Sequence, residues 1–413
     1  MLRNCLPQNV PHMLSQLPAT LDETYARVLK DIGKTNESYA YRLLQCLAVA
    51  MRPLYARELA EILALDFGDE EEIPELKENW RWKDEEEAVL STCSSLISLS
   101  YDPFLPVVQF SHFSVKEFLT SERLATSTAD LSCFHILPEP AHTVIIKACM
   151  GVLLRSEYDN AKAGHRSHLV KYAAPYWVHH ARFEKVWTRV EDAIRLLFDP
   201  AKPHLEAWLR NSELQNSRFF AGYNLDKPRG SLLYYASLCG LREMAAHLIS
   251  ENPQLVTGLV PRNPTPLVAA LHGGHLDIAD LLYEAGADLD IRNDNNMTLL
   301  HAVSDLKSGK GAADVVKWLF DHFVPDNHNL EDDSIETPLH FGGANRHRWP
   351  GTTVNEADYA RRTPLHIASE SGNIEMIHGL LMRGADITAQ DRRLRTPLHC
   401  ASEYWASVKL RPS

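Results

Sequence analysis

A chain of 413 residues, 45% hydrophobic and 23% charged, has the composition of an ordinary globular protein and the length of two or three domains. Its net charge of −12 is spread along the chain, which argues against a dedicated nucleic-acid binder, since such a protein gathers lysine and arginine on one face. The seven cysteines form no CxxC pair, so neither a disulfide framework nor a zinc module is expected, and an intracellular, cytoplasmic compartment fits best.

No apolar run reaches the roughly 18 residues of a membrane span, and no membrane association is expected. The best run, 144–154, is interrupted by Lys147. Pro7 and Pro11 fall where a signal peptide needs an unbroken apolar core.

In chain order, LPATLDETYARVLKDIG over 17–33 predicts a helix. Thr20 and Glu23 form a capping box, Leu21, Tyr25, Val28 and Leu29 an apolar stripe, and Gly33 the C-cap. Gly33-Lys34-Thr35 has the letters of a phosphate-binding loop, but position 28 is Val where that loop needs glycine. A helix C-terminus also presents carbonyls, which repel phosphate. Helices are then expected over 41–51, 54–65 and 88–98, with Pro53 breaking the first from the second. The acidic run 69–72 reads as solvated loop and 84–87 as a helix start. Leu99–Tyr101 and Val107–Phe110 flank the turn Asp102-Pro103 as a hairpin. Three helices and a hairpin are the order of a winged helix. The hairpin carries no Lys or Arg between Leu99 and Phe110, so protein packing is the better reading than nucleic acid. Ser114 and Glu117 predict another capping box, on a helix burying Val115, Phe118 and Leu119.

LPATLDETYARVL, RPLYARELAEILALDF, VVQFSHFSVKEFLTSERL and VKYAAPYWVHHARF resemble successive landmarks of fungal STAND proteins, which join a NACHT NTPase to ankyrin repeats. The first would mark the end of the NACHT region, the next two a winged helix of the GPI inositol-deacylase type, and the fourth a helical bridge. The resemblance implies a switch in which the NTPase controls oligomerisation and the repeats sense a partner. The chain departs from that pattern in having no GxxxxGK[ST], as if it were a truncated product or a partial gene model. No GxSxG elbow accompanies the deacylase label either. By the same resemblance His112, at a strand-to-helix junction, is a remnant nucleotide-sensor candidate; the plainer reading is a histidine fixing the start of a capped helix.

From 131 to 226 helices are expected over 142–154, 172–183, 186–198 and 205–209, with Trp177, Trp187 and Trp208 filling a core. The adjacent His179 and His180 would diverge on a helix, so they make no metal pair. Lys227-Pro228-Arg229-Gly230 marks a boundary.

Beyond it one signature recurs. Thr363-Pro364-Leu365-His366 and Thr396-Pro397-Leu398-His399 lie 33 apart, as do Thr265-Pro266-Leu267 and Thr298-Leu299-Leu300-His301. Ser231-Leu232-Leu233 is a degenerate first copy, and Thr337-Pro338-Leu339-His340 stands between. This period and signature resemble the ankyrin repeat. Thr caps a helix, Pro suits its first turn, Gly372 ends it left-handed, and Ile374, Ile377, Leu380 and Leu381 stripe the second helix. A finger position usually held by glycine is Asn296, Arg361 or Leu394, the last two at about 1 kcal/mol each. His301, His340, His366 and His399 share one register and are expected to support turns, with no metal. Between His340 and Gly351 a helix pair is missing, and the last copy stops after one helix.

The expected architecture is mainly α: the tail of a NACHT-type region over 1–33, a winged helix over 34–130, a helical bridge over 131–228 and ankyrin repeats over 229–413. The expected function is non-catalytic binding of a protein partner, with no cofactor or metal. The alternative is the back half of a nucleotide-dependent STAND switch. The partner-binding candidates are the exposed finger residues Asp290, Arg292, Asn293, Asp294, Tyr359, Gln390, Asp391, Arg392 and Arg393.

Overall fold

The computed structural model describes residues 20–68, 73–102, 105–155, 167–212, 231–257 and 265–289, then 314, 315, 318, 322, 354, 355, 357, 358, 360–372 and 374–409. The chain divides into two compact units, Met1–Lys227 and Pro228–Ser413.

The first unit opens with α1 (Leu21–Lys30), where Thr20 accepts the Glu23 N–H at 3.2 Å. The helix closes at Asp31 rather than at the expected Gly33. The Asp31 and Ile32 amides already bond carbonyls of Arg27 and Leu29, and the Gly33 carbonyl accepts from Asn36 in the turn that follows. Tyr25 and Leu29 are buried, whereas Leu21, in the first turn, stays 58% exposed and leaves the expected stripe.

Next come α2 (Glu37–Val49), β1 (Leu54–Tyr55), α3 (Ala56–Leu63), β2 (Leu65–Asp66), β3 (Glu75–Leu76), α4 (Glu85–Cys93), β4 (Ile97–Asp102), β5 (Leu105–Phe110) and α5 (Phe113–Leu119). β5 is the middle of an antiparallel sheet in the order β1–β5–β4, with Leu54 opposite Val108 and Ile97 opposite Phe110. Leu54 and Tyr55, expected to begin a helix, are strand instead, because their backbone groups pair with β5. The helix starts two residues later, at Ala56, where Glu58 accepts the Tyr55 N–H at 2.9 Å. A second short ladder, Leu65 opposite Leu76, closes the loop holding the acidic run 69–72, which lies outside the described residues. Asp84 caps α4 through the Glu87 N–H, as expected of the second acidic run. Val115, Phe118 and Leu119 are buried, but the box expected at Ser114 is absent: His112 is the N-cap of α5.

α6 (Glu122–Ala125) and α7 (Ala129–Ser132) lead to α8 (Pro138–Leu153), which packs on α2 and on α9 (Val170–Ala181). α10 (Trp187–Leu197) and α11 (His204–Asn211) complete the unit. Trp177 and Trp208 meet edge to face at 5.3 Å, and the Trp208 Nε1–H donates to the Ala174 carbonyl at 2.8 Å. With Trp187 they are buried, as core tryptophans should be.

Two polar clusters lie in this packing. Arg52 is forked onto the buried Glu58 at 2.6 and 2.8 Å and lies over the rings of Tyr55 and Tyr172. The Tyr172 hydroxyl accepts the Met51 N–H at 3.0 Å and meets His180 Nε2 at 2.8 Å, while His180 Nδ1 meets His142 Nδ1 at 2.8 Å. His179, its neighbour in sequence, is exposed, so the two histidines diverge.

Burial pushes His180 down to about 3, with His142 and His179 repelling its charge, and burial lowers His142 too. Above the ordinary histidine value of about 6.5 both folded and unfolded states are neutral and the contribution is whole. Below it the unfolded chain takes up protons that the native cluster refuses, so stability is lost as pH falls from 6.5 towards 3. Urea midpoints measured across that range should fall, and His180→Gln should flatten the fall. An unchanged slope in the variant would assign the acid sensitivity elsewhere.

The second unit is built from helix pairs. α12 (Leu232–Leu238) and α13 (Arg242–Glu251) form one pair, and α14 (Pro266–Gly273) and α15 (Leu276–Glu284) the next. α16 (Pro364–Ser371) and α17 (Ile374–Leu381) form a third, followed by α18 (Pro397–Lys409). Ser231 and Thr265 accept from Tyr234 and Val268 at 3.1 and 3.3 Å, capping the first helix of each pair. Gly274 and Gly372 end α14 and α16 at φ 72 and 69, the left-handed turn expected at Gly372. First helices of successive copies pack side by side, α12 on α14 and α16 on α18.

The apolar stripe expected on α17 is narrower. Leu380 is buried and Ile377 half-buried, but Ile374 and Leu381 are 69% and 43% exposed. Residues seven apart share one edge of a helix, about 120° away from Leu380. Thr298, Thr337 and the interruption at 341–350 lie outside the described residues, and of the copy expected from Thr298 only 314, 315, 318 and 322 are described.

Candidate protein-binding surface

The two described hairpin fingers are closed by the same clamp, repeated 33 residues apart. Asp358 accepts the Arg362 N–H at 2.6 Å and its Nε–H at 2.8 Å. Asp391 accepts the Arg393 and Arg395 amides and the Arg395 Nε–H, all at 2.8 Å. Both aspartates are buried. Burial opposes ionisation of Asp391, yet the Arg395 N–H and guanidinium outweigh it and hold the carboxyl below its usual range. The backbone closes in step: Asp358 N–H bonds the Arg362 carbonyl and Asp391 N–H the Arg395 carbonyl, at 2.9 and 3.0 Å.

The tips are drawn left-handed by these closures. Arg361 stands at φ 60 and Leu394 at φ 61, as expected of the two positions where glycine is usual. Leu394 is 71% exposed, so its side chain repays little of the roughly 1–2 kcal/mol that an L-residue costs there. Leu394→Gly relieves that strain and gives back part of it, about 0.4–1 kcal/mol, through a freer unfolded chain. A net gain of about 0.5–1 kcal/mol is expected in chemical denaturation, and a loss would show that Leu394 packs on something. 

Neighbouring fingers are tied to each other and to the helices. The Arg392 N–H donates to the Ala360 carbonyl at 2.9 Å, and Asn355 Oδ1 accepts the Asp386 N–H at 2.8 Å. His366 Nδ1 accepts the Thr363 N–H at 3.1 Å, and its Nε2 meets the Arg395 carbonyl at 3.0 Å. The acceptor role of Nδ1 leaves the proton on Nε2, which donates to that carbonyl. Thr396 and His399 repeat the first bond at 3.2 Å. The turn-supporting role expected of this register holds for these two histidines; His301 and His340 lie outside the described residues.

Of the candidate contact residues, Gln390, Arg392 and Arg393 are exposed on the last finger. Asp391 is not: at 3% exposure it faces inward, because its carboxylate holds the clamp. Asp290, Arg292, Asn293, Asp294 and Tyr359 lie outside the described residues. The clamp and the Asn355 bridge went unforeseen. The Asp-x-x-x-Arg spacing, recurring at 358 and 391, was the signal available for the first.

His112 accepts the Ser114 N–H through Nδ1 at 3.3 Å and meets the Ser114 hydroxyl at 2.6 Å. That hydroxyl also meets Tyr25 at 2.8 Å, joining α1 to α5. The ring thus fixes the start of α5. Among the described residues no group of three or more His, Cys, Asp or Glu converges as a metal site would. No described helix is long and apolar enough to cross a membrane.

Comparison with known proteins agrees with this geometry. The family described as ankyrin repeats (3 copies) matches 232–332 and 268–410, and that described as GPI inositol-deacylase, winged helix domain, matches 28–130. The chain is similar to azaphilone pigments biosynthesis cluster protein L of Monascus ruber, 30% identical over 297 residues, covering 67% of this chain and 61% of that protein. It is also similar to ankyrin repeat protein nuc-2 of Neurospora crassa, 24% identical over 228 residues, covering 49% and 21%. A third likeness is to transient receptor potential cation channel subfamily A member 1 of Drosophila melanogaster, 28% identical over 136 residues, covering 30% and 11%. The chain thus spans less than two thirds of each of these relatives. It carries a winged-helix domain of the GPI inositol-deacylase type followed by ankyrin repeats.

Proposed function

We propose that this chain is a non-catalytic interaction protein of the cytoplasm, binding a protein partner through its ankyrin fingers. The winged helix, taken as 34–130, and the helical bridge, taken as 131–228, carry regulation inherited from a NACHT–ankyrin receptor. The observation that carries the reading is the pair of clamped fingers, whose buried Asp–Arg closures hold exposed tips in one geometry. Preorganised tips lose little conformational freedom on binding.

The test is capture by cross-linking in cells expressing the tagged chain, followed by affinity measurement with the partner obtained. Arg392→Ala with Arg393→Ala should weaken binding while leaving thermal stability unchanged, whereas Leu380→Ala should lower both. Binding untouched by the finger changes but abolished by Trp82→Ala, an exposed side chain of the first unit, would move the site.

The second reading is the back half of a nucleotide-dependent STAND switch, favoured by the winged-helix match over 28–130. For a non-catalytic interaction protein, no saturable heat is expected when ATP or ADP with magnesium is titrated in. The turn at Gly33 follows a helix, not a strand. A micromolar site lost on Lys34→Ala would favour the switch.

A further inference from the structure

We infer that the partner segment seated on these fingers is an acidic peptide with an apolar residue, held by Arg361, Arg392 and Arg393 around Leu394. The inference rests on the reading that the fingers bind, and it names the chemistry they select.

The charge on the tips is the first argument. Of the finger carboxylates, Asp358 and Asp391 are buried and neutralised by Arg362 and Arg395. Asp386, at the base of the second finger, turns its carboxylate onto the Thr388 N–H and hydroxyl at 2.8 and 2.6 Å. Glu356 lies outside the described residues. The described charges exposed at the tips are therefore arginines: Arg361 on one finger, Arg392 and Arg393 on the other. The Arg392 N–H bonded to the Ala360 carbonyl brings these tips side by side. The chain's net charge is −12, so these cationic tips are opposite to its overall sign. Arginine forks match carboxylates in plane and spacing.

The second argument is the apolar side chain among them. Leu394 is held at positive φ and 71% exposed, a position where glycine is cheaper. Ile387, on the same finger, is 62% exposed. A leucine kept at a strained, solvent-facing tip between arginines has a use if the ligand carries an apolar group to cover it. A phosphate backbone offers none, and the chain's overall negative charge repels a polyanion of high linear charge density. A peptide is the better fit.

The test selects binders from a random library of twelve-residue peptides displayed against the immobilised full chain. Selected sequences should be enriched in Asp and Glu with at least one apolar residue, and their affinity should fall as salt is raised. Arg392→Glu with Arg393→Glu should weaken the best peptide by about ten-fold or more. Arg393→Ala should do so more mildly, and thermal scans should show each variant folded. Leu394→Gly should bind the peptide less well while unfolding later. Enrichment of basic residues, or acidic peptides that bind the arginine variants unchanged, overturns the inference. So does equal retention of inorganic polyphosphate or single-stranded DNA with the same arginine dependence, which would make the site a general polyanion surface. If the cross-linked partner needs the fingers but no acidic peptide competes with it, this inference falls while the finger reading stands. If the partner ignores the fingers as well, both fall.

Discussion

Trp208→Ala is expected to destabilise the first unit by about 3–5 kcal/mol, the range for deleting a large aromatic from a packed core. Three losses combine. The indole is 1% exposed, so nearly all its apolar surface is removed from the interior contact. The Ala174 carbonyl loses the Nε1–H that it accepts at 2.8 Å. Trp177, fully buried, loses the edge-to-face partner at 5.3 Å, a geometry worth about 0.5–1.5 kcal/mol beyond its area. In a unit of this size that amounts to a fall of roughly 6–20 °C in thermal midpoint, read by calorimetry. Trp208→Phe should cost much less, since it keeps the ring and removes only the hydrogen bond and part of the volume. An alanine variant within 1 kcal/mol of the parent would mean that neighbouring helices collapse into the space.

His366→Ala is the larger change in the second unit, with an expected loss of about 3–4 kcal/mol. The ring is fully buried and holds three polar groups: the Thr363 amide and hydroxyl through Nδ1, and the next finger's Arg395 carbonyl through Nε2. Each buried polar group left unmatched costs about 1–3 kcal/mol. Hydrogen exchange should show the loss spreading to 391–396, because that finger hangs on the severed bond. His399→Ala supplies the comparison within the same protein. It occupies the same register and bonds Thr396 in the same way, but its ring is exposed, so water replaces what is lost and about 1 kcal/mol is expected. Equal costs at the two positions would show that burial is not what makes His366 structural.

The histidine pair also shows how far local pattern carries. Thr-Pro-Leu-His names a cap, a first turn, an inward leucine and a supporting ring from four consecutive residues, and the structure places Thr363 to His366 so. The left-handed tips at Arg361 and Leu394 were legible for the same reason: each is a local backbone demand repeated at a fixed interval. The winged-helix order of helices and hairpin followed from breaks at proline and from short apolar runs. Its β1 did not, because two residues carry no periodicity and only β5 makes them a strand. Ser114 looked like the better cap than His112, yet its hydroxyl is engaged by Tyr25 from 89 residues earlier in the chain.

What the sequence alone determined are features whose physics is local: repeat length, caps, glycine turns, and the apolar positions that must leave water. What only the tertiary structure decided are pairings between distant segments. His180 met His142 across 38 residues, and the Ser114 hydroxyl met Tyr25 across 89. No pattern along the chain encodes these, because a buried polar group takes the partner that folding brings within about 3 Å, and that choice is made by packing.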